Sequence, residues 1–239
     1  MQRLAIFALV VVAACDDTTP LWELDNDRIV AVRATPPRLV AGERAALDVL
    51  VTATGVGPSV RAPVFAAAVP LALDVPVPPE LAAAVVSDGG GWAVVCPDDA
   101  TLSSLRTTLG LDPTDPIPLL VGITIETDSG TLPAVKSVFL GEAAQNPILG
   151  EVTVNGMVAF DGMTIPPVDE VPLSVPALDT DDVDWLTSVG ELTDQDDPEA
   201  TLVHDPTADP PPPIDGHLAV VLRDERGGVA WSFWTIAVR

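Results

Sequence analysis

The chain has 239 residues, with 35 Asp and Glu against 11 Lys and Arg, a formal net charge of −24 at pH 7. So acidic a balance excludes nucleic acid as a partner, because phosphate binding requires clustered Lys and Arg, and it sets the chain against anionic lipid headgroups. Proline occurs 25 times, too often and too evenly for an α-helical protein, so strands and turns are expected.

The chain opens with Arg3, an apolar run from Leu4 to Val12, then Ala13-Ala14-Cys15. One basic residue, a short apolar stretch and small residues before a cleavage point form a secretory signal. The apolar run is too short for a spanning helix. The ending Val12-Ala13-Ala14-Cys15 resembles the lipobox of bacterial lipoproteins. In that family the peptidase cuts before the cysteine, whose sulfur receives a diacylglycerol and whose new amine is then acylated. The resemblance implies that residues 1–14 are removed as a signal peptide and that Cys15 is the lipidation site, tying the chain to a membrane. It places the protein in the bacterial cell envelope, with the body in the periplasm or outside the cell. Each buried methylene contributes about 0.8 kcal/mol, so more than one acyl chain anchors stably. Asp16 resembles the inner-membrane retention signal of enteric bacteria; the choice of inner or outer membrane stays open. The alternative is a signal peptide cut near Ala14, with Cys15 an ordinary residue.

Removing residues 1–14 from 239 leaves 225 residues, which suits two domains, and losing Arg3 takes the charge to −25. Lys136 stands alone beside ten arginines, a bias that reads as GC-rich coding or, alternatively, a salt-loving source. Residues 15–27 are polar and acidic and read as a tether carrying Trp22. Ile29 to Val32 is a short strand broken by Pro36-Pro37. Leu47, Val49 and Val51 then alternate with Asp48, Leu50 and Thr52, a strand buried mainly on one face. The stretch from Val60 to Val86 has no clear phase.

Ser87 to Gly91 is a turn into an apolar strand, Trp92 to Cys96; a phosphate loop would need a helix directly after it. Asp98 then offers an N-cap. Leu102, Leu105 and Leu109 follow at helical spacing, and Gly110 stands at the C-terminal stop. This is the one short helical insertion expected. Leu119 to Ile125 and Ala134 to Leu140 form a hairpin about Asp128-Ser129-Gly130. Polar residues 141–146 mark a boundary, giving a first domain over 28–141 and a second over 147–239.

The second half repeats the plan. Ile148 to Val154 parallels the strand at Ile29. Val171, Leu173 and Val175 alternate with Pro172, Ser174 and Pro176, and the prolines put that strand at a sheet edge. His217 to Arg223 and Val229 to Val238 make a closing hairpin. In the latter the apolar phase slips from Val229, Trp231 and Phe233 to Trp234, Ile236 and Val238, suggesting a β-bulge or a strand passing between sheets.

Asp184-Trp185-Leu186, Gly190-Glu191-Leu192, Ala200-Thr201-Leu202 and Leu218 to Asp224 with Arg226-Gly227-Gly228 resemble the bacterial immunoglobulin-like and polycystic-kidney-disease-like modules. Pro210 to Pro213 depart from their pattern. The resemblance implies an all-β fold of two tandem immunoglobulin-like β-sandwich domains in spacer, adhesion or ligand-presenting roles, without catalysis. Once Cys15 is acylated, Cys96 has no partner in the chain, and its apolar neighbours make it a buried small hydrophobe.

Asp179, Asp181, Asp182 and Asp184 are the best metal candidates, and weak ones. Calcium takes six to eight oxygens, supplied in EF-hand loops at alternate positions around a glycine. Here Val183 stands at position five and Asp184 at position six. Asp194 to Glu199 is as dense and as irregular, so both runs read as solvated loops. His204 and His217 lack any metal-ligand spacing. No Gly-x-Ser-x-Gly elbow is present, and no carboxylate pair stands out for glycosidase work. The tryptophans at 92, 185, 231 and 234 are expected in cores. The expectation is therefore a lipid-anchored, non-enzymatic structural or interaction module without cofactor. Its partners would be the membrane, through the lipid, and an unknown envelope protein or polysaccharide. The alternative is a calcium- or glycan-dependent binding or adhesion module.

Overall fold

The structure, a computed structural model, describes residue 20 and residues 22–71, 75–87, 89–167, 170–209 and 211–239. The signal segment and Cys15 lie outside the described residues.

The first half contains β1 (Arg28–Thr35), β2 (Arg38–Leu39), β3 (Arg44–Thr52), β4 (Ser59–Arg61), β5 (Phe65–Val69), α1 (Pro79–Ala84), β6 (Val85–Ser87), β7 (Trp92–Val95), α2 (Asp99–Leu109), β8 (Ile117–Thr127) and β9 (Gly130–Leu140). The second contains β10 (Thr153–Val154), β11 (Met157–Val158), β12 (Met163–Ile165), β13 (Glu170–Ser174), β14 (Asp182–Thr187), β15 (Glu191–Thr193), β16 (Glu199–Val203), β17 (Asp215–Arg223) and β18 (Val229–Val238).

These strands form four sheets. One has the order β1-β3-β7-β6 with β4 beside β3, and it faces β2-β9-β8-β5; then come β11-β10-β13-β16-β15 and β12-β18-β17-β14. Each half thus repeats one plan. A first strand, a second, a fourth and a fifth share one sheet, and the third, sixth and seventh share the other. A short piece of the leading segment crosses over to lie parallel to the last strand: β2 on β9 and β12 on β18. That is the immunoglobulin strand order. The fold is all-β, two immunoglobulin-like β-sandwiches in tandem.

Alternation decides the first core. Along β8, Ile117, Leu119, Val121, Ile123 and Ile125 are all buried, and they meet Leu47, Val49 and Val51 from the facing sheet. Full burial of such a side chain contributes about 1.5–3 kcal/mol. Asp128 and Ser129 make the turn into β9, whose register with β8 runs unbroken from Thr127↔Gly130 to Ile117↔Leu140. The expected helix is α2. The Asp98 carboxylate accepts from Thr101 N at 2.8 Å, Gly110 takes φ +69°, and Leu102 and Leu105 enter the core. A second helix was not expected. It is α1, begun by Pro79, where a missing N–H costs nothing, and it buries Leu81 and Ala84.

Trp185, on β14, is fully buried at the centre of the second core, with Nε1 donating to Asp197 O at 3.1 Å. Three expectations are corrected in this half. The strand over 148–154 shrinks to Thr153–Val154, and Ile148 is 90% exposed. Asn155-Gly156 intervenes, both residues at positive φ, turning β10 into β11. That dipeptide is a strong hairpin signal. The strand at Val171 is not an edge: β13 lies between β10 and β16. Pro172 is tolerated because its carbonyl, and hence its nitrogen, faces Asn155, where β10 has already given way to its turn. Finally, β18 carries no bulge. Its pairing with β17 is regular from Arg223↔Val229 to Asp215↔Ala237.

The slipped apolar phase in β18 has another cause: the strand is buried on both faces. Trp234, Ile236 and Val238 enter the core of their own sandwich. Val229, Trp231 and Phe233 belong to a third cluster with Ala219, Val221 and Leu186, and with Ala31 and Leu50 of the first sandwich. The two sandwiches therefore pack sheet against sheet. The expected tether is also corrected. Leu24 is buried in that third cluster, and Trp22 packs on the second core.

Candidate functional site: the joint and an acidic cleft

Polar contacts ring the apolar joint. Arg33 lies over the Trp231 ring at 4.0 Å from its centroid and pairs with Asp48 at 2.7 Å. Asn146, in the expected boundary segment, donates to Ala34 O and accepts from Val229 N, each at 2.9 Å. Glu142 binds Arg38 and Arg226 together, each at 2.5 Å, which holds its carboxyl below the usual carboxylate range, Arg226 contributing most. Lys136 Nζ donates to Gly227 O at 2.6 Å. Burial, reinforced by the charge of Arg223, pushes its pKa down to about 8. Arg223 pairs with Asp184 and donates to Val30 O at 3.2 Å.

Ten basic residues remain after residue 14, and five of them (Arg33, Arg38, Lys136, Arg223 and Arg226) are engaged at this joint. Arg106 donates to Asp115 O, and Arg239 pairs with Asp215. The surplus carboxylates are left to the outer surface, which attracts cationic groups.

A cleft of about 460 Å³ opens at one end of the second sandwich. Trp22, Pro212 and Pro213 line it together with Glu23, Asp25, Glu191 and Asp205. Gly190, on its wall, has φ +90°, and a Cβ there would meet Val203 O at 2.2 Å. His204 lies between two lining residues, Val203 and Asp205, but is itself only 3% exposed, and neither ring nitrogen has a hydrogen-bond partner. Strand alternation carries it inward after Ala200 and Leu202. His217 sits elsewhere, at the joint, where Gly57 (φ +75°) has no side chain to collide with its ring. Burial lowers its pKa, and Asp161 and Asp25 oppose that shift. The two histidines therefore occupy separate surroundings.

Two of the four aspartates singled out as metal candidates, Asp181 and Asp184, are engaged locally. Asp181 accepts from Leu178 N at 2.8 Å, capping its turn, and Asp184 pairs with Arg223. Among the described residues no three His, Cys, Asp or Glu side chains converge as a metal site. Cys96 is 2% exposed within the first core, its Sγ 3.5 Å from Leu39 O, and burial pushes the thiol pKa up. One tryptophan departs from a core role, and another packs only at the edge of the first core. Trp92 stands at a rim, edge-to-face with exposed Phe65 at 5.7 Å, and Trp231 lies in the joint. Sequence reading also missed an apolar groove of about 360 Å³ between the chain near Pro76, α1 and β8, because the stretch before residue 86 has no readable period. Among the described residues no helix is long and apolar enough to cross a membrane.

No family model matches the chain, and no curated protein matches it. Similar solved structures include a chimeric titin tandem at 10% identity, covering 89% of this chain and 99% of that one. Murine CEACAM1b follows at 14%, covering 87% and 99%, and the tandem immunoglobulin repeats of Dlar at 13%, covering 90% and 98%. The TM-score is 0.29 for each, too low to carry an argument. The class of the protein rests on its own strand order, a pair of immunoglobulin-like sandwiches.

Proposed function

We propose that this protein is a lipid-anchored, non-enzymatic interaction module of the bacterial cell envelope, which holds two immunoglobulin-like sandwiches as one rigid acidic body close to a membrane. The observation that carries the reading is the joint. Its apolar cluster and its ring of Arg, Lys and Asn contacts give the pair one orientation, as a spacer or presenting module requires. Interfaces between domains that move freely are typically more polar. The acidic outer surface favours a partner with basic groups and disfavours polyanions.

The lipobox-like ending at Cys15 supports the anchoring half of the proposal. Seven peptide steps separate Cys15 from Trp22, at most about 25 Å when fully extended, so an acylated chain would keep the body near the bilayer. The test is the Cys15→Ser variant expressed in a bacterial host. The expected result is loss of partitioning into the detergent phase with strand content unchanged. A correctly cleaved Ser variant that still enters the detergent phase would refute the anchor. Crosslinking in intact cells, followed by mass spectrometry of captured partners, tests the interaction half.

A further inference from the structure

We propose that residues 22–27 act as a strap that locks the two sandwiches in their observed pairing, so that the joint is set by this N-terminal segment and not by sheet packing alone. The segment bonds to both halves. On the second sandwich, both backbone groups of Thr187 are taken by the strap: Thr187 N donates to Trp22 O and Leu24 N donates to Thr187 O, each at 2.9 Å. On the first, Asn26 O accepts from Thr52 Oγ1 at 2.6 Å, Asp27 Oδ1 from Thr54 N at 2.8 Å, and Asp25 Oδ1 from Gly55 N at 3.0 Å. Between these two sets Leu24, 1% exposed, enters the joint beside Leu186, Ala31 and Leu50.

Two features make this a lock and not a passive lead-in to β1. Thr52 and Thr187 are both fully buried with the strap in place, so these bonds are shielded from water and count for more than exposed ones. The apolar cluster at the joint is also small. Of its seven buried members two are alanines, and one of the five larger ones is Leu24 itself. Apolar burial is non-directional; the Arg38, Lys136 and Asn146 contacts hold the joint near the 224–229 turn, and the strap's bonds to Thr187 and to the 52–55 turn add a second hold that fixes the angle. Release of the strap removes that second hold, so the sandwiches swing about the Arg38, Lys136 and Asn146 contacts and partly uncover Trp231 and Phe233.

The test uses the full chain with Cys96→Ala and spin labels on cysteines placed at Val135 and Leu178, which are 60% and 71% exposed, one in each sandwich. The unaltered strap is expected to give one narrow distance distribution. Leu24→Asp, and separately Asp25→Ser with Asp27→Ser, are expected to broaden it about twofold toward longer separations, with strand circular dichroism intact. If Leu24→Asp fails to fold, the doubly Ser-substituted variant, altered only at strap carboxylates, decides. A distribution that stays narrow in a folded variant overturns the proposal. Cys15→Ser in every variant keeps the labels on the body, so the result does not depend on the anchor.

Discussion

The guanidinium of Arg33 and the indole of Trp231, 198 positions apart in the chain, stack at 4.0 Å across the joint. Arg33 lies on β1 of the first sandwich and Trp231 on the outward face of β18 in the second. A tryptophan that would be a solubility liability on a free sandwich is covered here, and its face carries a cation.

Trp231→Ala is expected to lower the stability of the whole chain by about 2 kcal/mol, below the 3–5 kcal/mol typical of a fully buried aromatic, because this ring is only half-buried. Urea unfolding followed by tryptophan fluorescence measures it. A change within about 0.5 kcal/mol, the range of ordinary surface substitutions, would mean that the joint contributes little.

A fragment of residues 147–239 retains every buried residue of the second core, Trp185 included, and loses only the packing of Trp22 against it. Cooperative melting is expected. The fragment also exposes the β17–β18 face that carries Val221, Val229, Trp231 and Phe233, and a contiguous apolar patch promotes association. Sedimentation should therefore show self-association that the full chain lacks, and Trp231→Glu with Phe233→Ser should reduce it. A fragment that is monomeric without those changes would contradict the exposed-face argument.

Gly190→Ala combines a left-handed backbone with a Cβ directed at Val203 O. It should cost about 2 kcal/mol or more. Gly42→Ala is the control: its φ is +80° with nothing within 4 Å of the added carbon, so only the backbone term of about 1 kcal/mol applies. Equal thermal shifts in the two variants would show that the collision at Val203 is relieved without cost.

Two pH windows follow from buried cations. The Lys136 pKa is pushed down to about 8 from 10.5, so between these values the unfolded chain holds more protons and stability rises with pH. Burial raises the Cys96 pKa, which gives the opposite trend from about 9 upward. Comparing Lys136→Met with its parent, both in a Cys96→Ala background, isolates the lysine, and the rise should vanish. On the acid side, the His217 pKa lies below 6.5 in the folded state. The unfolded chain therefore takes up the proton first, and stability is lost as pH falls from about 6.5. That loss should be absent in His217→Gln.

Calcium and magnesium at equal ionic strength are expected to raise the melting temperature alike, by general screening of a strongly acidic surface. Asp181 caps a turn and Asp184 is paired with Arg223, so a calcium ion would have to compete with both contacts. A calcium-specific shift, removed by Asp181→Asn with Asp182→Asn, would favour the calcium-dependent binding role instead.

The all-β character, α2 with both its caps, the β8–β9 hairpin and the pairing of β17 with β18 were legible in the sequence. Each depends on neighbours a few residues apart: an Asp N-cap, a Gly at positive φ, a period of two. Trp185 was legible for the same reason, since its strand alternates around it. The joint was not. The double burial of β18 looked like a bulge, because a one-dimensional pattern cannot say whether a second apolar face meets solvent or another sheet. Pro172 suggested an edge strand, although its place within the sheet depends on where β10 turns. Trp22 and Leu24 looked like tether because nothing local pays for their burial; their partners, Thr187 for both and Ala31, Leu50 and Leu186 for Leu24, are brought to them only when both sandwiches are in place. Local periodicity thus determined the elements, while contacts between residues more than a hundred positions apart decided which faces are covered.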